Sequence, residues 1–248
     1  MSNETDRLTG VGLDHRGSAF PDTQWSVFLT EEGHDAASAV LDRRFTHLCS
    51  RYWYPLYAFL RKRGHSSHDA QDLTQGFLTK LLSGRPLGKV DPACGRFRSF
   101  LLGALNHYVS DQRKARNAAK RGGGHVPVPI DIDFAEGRLS EAASDNQTPE
   151  KVFDREWAVN VLREAKHQLE AEFVEQGKSE VFARLGEFLI ESPPQGSYGP
   201  IARELGVTEP NLRAMVSRMR KRHAAILRDQ VRATVRSVED VDEEIRYL

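Results

Sequence analysis

The chain has 248 residues, 39% of them hydrophobic, two cysteines, and 35 basic residues balanced by 35 acidic ones. That length suits one large domain or two small ones. No run of about 18 apolar residues is present, so no membrane-spanning helix is expected, and the polar first residues lack the apolar core of a secretory signal; the chain is expected in the cytoplasm.

Residues 1–21 carry little periodicity and are read as a mobile N-terminal arm. From residue 37 the pattern turns helical, with Leu41, Phe45, Leu48 and Tyr52 recurring at spacings of three and four. Pro55 is expected to break that helix and to open a new one with Leu56, Phe59 and Leu60 on its apolar face, closed by Gly64. Ser66 and Ser67 can cap a helix over 68–82 whose inner face is Ala70, Leu73, Phe77 and Leu81. A loop over 83–95 leads to a longer helix over 97–119, and these elements make a first domain, 22–121.

Gly122, Gly123 and Gly124 stop that helix, and 122–147 reads as a flexible linker. A triple glycine can also mark a phosphate loop, but no Lys-Ser or Lys-Thr follows it, which favours a flexible hinge. Thr148 and Pro149 start a fresh helix with Phe153, Trp157, Val161, Ala165, Leu169 and Phe173 on one face. Val181, Phe182, Leu185, Phe188 and Leu189 give a second, and two short helices follow the breakers at 192–196. The second domain is 148–235, and 236–248 is an acidic, solvated C-terminal tail. The expected fold is all-α, two small helical domains joined by a flexible linker. Cys49 and Cys94 have no CxxC partner or nearby His at ligand spacing, so both are expected to be ordinary thiols, with no metal site.

Charge is balanced overall but not locally, and local density decides nucleic-acid binding because salt screens charges beyond roughly 8 Å. Arg113, Lys114, Arg116, Lys120 and Arg121 form one basic patch, and Arg213, Arg218, Arg220, Lys221, Arg222, Arg228 and Arg232 another.

The strongest local signal is SYGPIARELGVTEPNLRAMVSRMRKR, 197–222. Ile201, Ala202 and Leu205 line a first helix, Gly206 permits a tight turn, Val207 plugs it, and Thr208 caps a second helix with Pro210 in its first turn. That pattern is a helix-turn-helix. Leu212, Val216, Met219 and His223 face inward, leaving Pro210, Arg213, Ala214, Ser217 and Lys221 on the opposite side. Arg213 and Ser217 are placed to reach base edges, and Arg218, Arg220, Lys221 and Arg222 to meet phosphates.

This segment resembles domain four of bacterial RNA polymerase sigma factors of the extracytoplasmic-function type. HDAQDLTQGFLTKLL, 68–82, resembles the helix with which sigma domain two grips the polymerase clamp helices, with Gly76 standing where the family usually carries an acid. GRFRSFLLGALNHYVSDQRKAR, 95–116, is similar to that domain's promoter-melting and minus-ten segment, and RYWYPLYAFLRKRGH, 51–65, to its aromatic-rich part. The likeness covers roughly 24–232.

The resemblance implies a transcription initiation factor that binds core RNA polymerase and directs it to promoters. Thr208, Pro210, Asn211, Arg213, Ala214, Ser217, Arg218, Lys221 and Arg222 would meet the minus-thirty-five duplex. Arg96, Arg98, Asn106, Ser110, Arg113, Lys114 and Arg116 would meet the opened minus-ten strand, Asn106 holding a flipped base beside the loop 89–96. Asp69, Asp72, Leu73, Gln75 and Thr79 would dock on polymerase. Phe97 and Phe100 are expected to pack in the core, and Trp53, Tyr54 and Tyr57 in the core or between domains. No cofactor and no catalytic residue are expected; partners would be core polymerase, promoter DNA and a controlling anti-sigma protein or kinase. The alternative is a one-component helix-turn-helix regulator that does not bind polymerase, which would need a dimer seam; no sustained heptad supplies one.

Overall fold

A computed structural model describes residues 38–82, 96–118, 135–139, 147–191, 194, 197–235 and 237–247. The expected arm at 1–21, the loop 83–95 with Cys94, and the glycine run at 122–124 lie outside the described residues. The helices are α1 (Ser38–Lys62), α2 (Ser67–Leu82), α3 (Phe97–Ala118), α4 (Pro149–Glu175), α5 (Ser179–Leu185), α6 (Tyr198–Glu204), α7 (Glu209–Arg232) and α8 (Glu239–Tyr247), with a 3-10 turn at Gly186–Leu189. Among the described residues the fold is helical, with one isolated bridge between Arg96 and Val235. No described helix is long and apolar enough to cross a membrane.

The break expected at Pro55 does not occur: α1 runs through it as one helix. A proline inside a helix removes the N–H that would bond four residues back, here the carbonyl of Arg51. The side-chain amide of Asn160 in α4 donates to that carbonyl at 3.0 Å, so the bond is replaced from a neighbouring helix. Around the proline, Tyr52, Trp53, Tyr54, Leu56, Tyr57, Ala58, Phe59 and Leu60 are all buried, so α1 is enclosed on every side as a helix apolar all round must be. The aromatic residues expected in the core are there, Trp53 stacked on Tyr57 at 5.0 Å and Tyr52 edge-on to Phe97 at 5.4 Å.

Gly64 ends α1 at φ +88°, with its own N–H on the Arg61 carbonyl and that of His65 on the Leu60 carbonyl. Ser66 caps α2, its Oγ accepting from the Asp69 N–H at 3.1 Å. Ala70, Leu73, Phe77 and Leu81 are buried against α1 as their spacing predicts. Thr148 caps α4 in the same way, accepting from the Lys151 N–H at 3.3 Å.

Two hydrophobic clusters result, and α4 serves both. Its Val152, Phe153, Trp157 and Val161 join α1, α2 and α3, while its Ala165 and Leu169 join Phe182, Leu185, Phe188, Leu212, Val216 and Met219. The packing therefore does not follow the division expected at 122–147. Inside that stretch, residues 135–139 are helical and dock on α1: Glu136 accepts from Arg61 at 2.7 and 2.8 Å and from the Tyr57 hydroxyl, and Arg138 lies 4.1 Å over the Tyr54 ring. Hydrogen bonding to Arg61 holds the Glu136 carboxyl below its usual range.

The solvated tail expected at 236–248 is instead the helix α8. Ser237 and Asp240 form a reciprocal cap (3.2 and 3.3 Å), Val241 is buried, and Glu244 is only 1% exposed. Cys49 is a buried thiol whose pKa burial raises to about 11.

Candidate nucleic-acid interface

The helix-turn-helix is built as its residues predict. Gly206 adopts φ +64°, and the N–H of Val207 reaches back to the Ala202 carbonyl at 2.9 Å, closing α6 with a left-handed cap. Two residues on, Thr208 is extended at φ −78°, ψ 151°, and its hydroxyl accepts from the Asn211 N–H at 3.4 Å. The turn between the helices is thus fixed at both ends. Leu212, Val216, Met219 and His223 are buried; Thr208, Pro210, Asn211, Arg213, Ala214, Ser217, Arg218, Lys221 and Arg222 are all exposed.

Those cations are not equivalent. Arg213 is paired with Glu209 at 2.6 Å and lies 4.7 Å over the Tyr198 ring, so α6 orients it. Arg222 forms a two-pronged pair with Glu172 of α4 at 2.9 and 2.6 Å, which holds the Glu172 carboxyl below its usual range. Arg218 and Lys221 have no ion pair or hydrogen bond among the described residues. Arg220, expected at phosphate, is turned inward: it donates to the carbonyls of Phe188 and Glu191 at 2.7 and 2.8 Å, where the 3-10 turn ends without backbone donors. The recognition helix is also longer than the short one expected, because nothing between Leu212 and Arg232 interrupts it.

A second exposed polar face lies on α3. Asn106, Ser110, Arg113 and Lys114 are exposed, while the side chain of Arg116 lies outside the described residues. Phe97, Leu101, Leu105 and Tyr108 are buried on the other side, and Phe100 packs half-buried against the same cluster. Arg63, which sequence reasoning did not single out, donates from Nη1 to Oδ1 of Asn106 and lies 5.5 Å over the Phe59 ring. A guanidinium only donates, so this bond leaves the Asn106 amide N–H groups facing away from it. Beside the pair is a cleft of about 450 Å³ lined in part by Arg63, His65, Asp69 and Arg113.

Arg96 and Arg98, expected in that same DNA-facing set, are placed elsewhere. Arg98 is 4% exposed; it donates to Glu244 at 2.5 and 3.1 Å and to Asp154. Arg96 donates to Glu244 at 2.8 Å and is half-buried. Tyr247 lies against both, 4.4 Å from the Arg98 guanidinium and 5.3 Å from that of Arg96. Burial opposes the charge on Arg98, but hydrogen bonding to Glu244 and the charge of Asp154 outweigh it, so its pKa stands above the usual arginine value. The sequence signal missed here was the capping box at Ser237 and Asp240, hidden among five acids.

The set expected to grip polymerase is divided. Thr79 is exposed and Asp69 and Asp72 are half-buried, Asp72 lying 3.2 Å from His68, whereas Leu73 and Gln75 are buried.

No family model matches the chain, and no curated protein and no solved structure matches it either.

Proposed function

We propose that this chain is a dissociable promoter-specificity subunit of bacterial RNA polymerase. The observation that carries the reading is the α6–α7 unit: a left-handed glycine turn, a threonine cap, and a second helix whose outward face carries Arg213, Arg218, Lys221 and Arg222 among the small residues Ala214 and Ser217. Such a face fits a major groove, the small residues allowing close approach while cations reach phosphates. The exposed Asn106, Ser110, Arg113 and Lys114 of α3 would track an unpaired strand, and Asp69, Asp72 and Thr79 of α2 would meet the polymerase clamp helices. Strand opening would be driven by binding energy, unpaired bases in pockets repaying lost stacking. The chain needs no cofactor and performs no chemistry of its own in this reading, and it would work in the cytoplasm.

Incubation with purified core RNA polymerase, followed by size exclusion and transcription from a library of genomic fragments, tests it. Co-elution with polymerase and initiation at defined start sites are expected. Binding to duplex DNA without either result would make the chain a helix-turn-helix regulator that acts without polymerase.

A further inference from the structure

Glu244 is a carboxylate buried between two arginines, Arg98 in the first turn of the helix proposed to hold single-stranded DNA and Arg96 just before it. Its Oε1 and Oε2 meet Nε and Nη2 of Arg98 at 2.5 and 3.1 Å, and Oε2 meets Nε of Arg96 at 2.8 Å. Two oxygens taken by guanidinium groups in this way copy the bonds a phosphodiester makes to arginine. We propose that Arg96 and Arg98 form a phosphate-binding pair that α8 holds closed, with Glu244 as the resident anion, so that the C-terminal helix and a single DNA strand compete for the same guanidinium groups. This rests on the reading of α3 as a strand-binding element and names how that element is regulated.

Three further observations support competition over a permanent brace. The apolar anchor of α8 is small, Val241 buried and Ile245 partly so. Its other tie to α7, Arg228 with Asp242 at 2.5 Å, is exposed on both sides, and exposed pairs add little. The segment before it is fastened by backbone, Phe97 N–H to the Thr234 carbonyl at 3.0 Å and the bridge of Arg96 with Val235, so α8 can leave while its root stays. A tethered helix rebinds as an intramolecular ligand, which keeps the pair closed until a strand displaces it. When α8 leaves, Asp154 stays beside Arg98, so the open site carries two cations and one acid and still attracts phosphate.

The test uses the full-length chain alone and fluorescein-labelled oligothymidylate, because phosphate contacts do not depend on sequence. Hydrogen exchange over 239–247 is followed with and without the oligonucleotide, and affinity is compared among the natural chain, Glu244→Gln and Arg228→Ala. The expected results are faster exchange in 239–247 on binding, tighter binding by about threefold or more in Glu244→Gln, and a smaller gain in Arg228→Ala, since each removes part of an internal competitor. Arg228→Ala touches only the exposed tie, so it decides the matter if Glu244→Gln melts. Binding that leaves 239–247 protected, affinities unchanged in both folded variants, or no oligonucleotide binding at all would each overturn the proposal. Capture of core polymerase is read separately, so failure of the promoter-subunit reading and failure of the closed pair remain distinguishable.

Discussion

Asn160 completes the hydrogen bonding of Arg51. Its Nδ2 sits 3.0 Å from the Arg51 carbonyl that Pro55 leaves without a helical donor, and Arg51 in turn donates to Glu164 of the same helix at 2.8 and 2.5 Å. One backbone defect in α1 is thus repaired by α4, and the repair fixes the register between the two helices. Replacing Asn160 by Ala leaves a buried carbonyl unpaired, at a cost of about 1–3 kcal/mol. In a Pro55→Ala background the restored N–H can serve the same carbonyl, so the cost should fall by about 1 kcal/mol. Urea unfolding of the four proteins in this cycle measures the coupling; equal costs in both backgrounds would refute it.

Gly206 sets the angle between α6 and α7 at φ +64°, and a Cβ built there meets nothing within 4 Å. Gly206→Ala therefore costs backbone strain alone, about 1–2 kcal/mol. The melting temperature should drop without loss of helix content, and affinity for duplex DNA should weaken because the turn relaxes. Retention of full stability would mean that the turn adopts another conformation in solution.

The helix-turn-helix was legible because each of its parts has a local cause: Gly206 for the left-handed turn, Thr208 for the cap, and Leu212, Val216 and Met219 for the buried face. The continuity of α1 was not, since the rule that proline breaks helices is local and the repair by Asn160 comes from 109 residues away. The same holds for α8 and for residues 135–139. Their acids, Glu244 and Glu136, lie in stretches read as a solvated tail and a flexible linker, but Arg98, Arg96 and Arg61 pair them in space. Long-range ion pairs leave no periodicity. Arg98 and Arg220 looked like exposed cations for the converse reason, as basic residues whose partners, Glu244 and the carbonyls of Phe188 and Glu191, lie far along the chain.

His223 gives the fold a pH dependence. It is buried on α7, burial lowers its pKa below the ordinary 6.5, Lys166 adds to that, and a hydrogen bond with the Leu162 backbone works the other way. The unfolded chain then takes up a proton more readily than the folded one, so this contribution to stability is complete above the unfolded value and is lost as pH falls below about 6.5. Glu136 and Glu172 have lowered carboxyl pKa values, so their contributions are lost only at more acid pH, in a separate window. Melting temperatures between about pH 7.5 and 5.5 should fall for the natural chain and stay nearly flat for His223→Leu. A parallel fall in both would remove His223 as the cause.

Arg213 and Lys221 should separate base reading from phosphate attraction on one helix. Arg213 is held by Glu209 and the Tyr198 ring, so its guanidinium reaches DNA in a fixed direction, whereas Lys221 is exposed without a partner among the described residues. A fixed guanidinium suits two-pronged bonding to one base edge, worth about 1–3 kcal/mol of discrimination. Arg213→Ala should therefore weaken binding at one promoter position by that amount and leave other positions unchanged. Lys221→Ala should weaken every duplex alike and reduce the slope of log affinity against log salt by about 1. Titrations of both variants against duplexes varied at single positions, at two salt concentrations, provide the measurement. Uniform loss with Arg213→Ala would make Arg213 a phosphate ligand, and the base reading would then fall to Ser217 or Asn211, both exposed on the same helix.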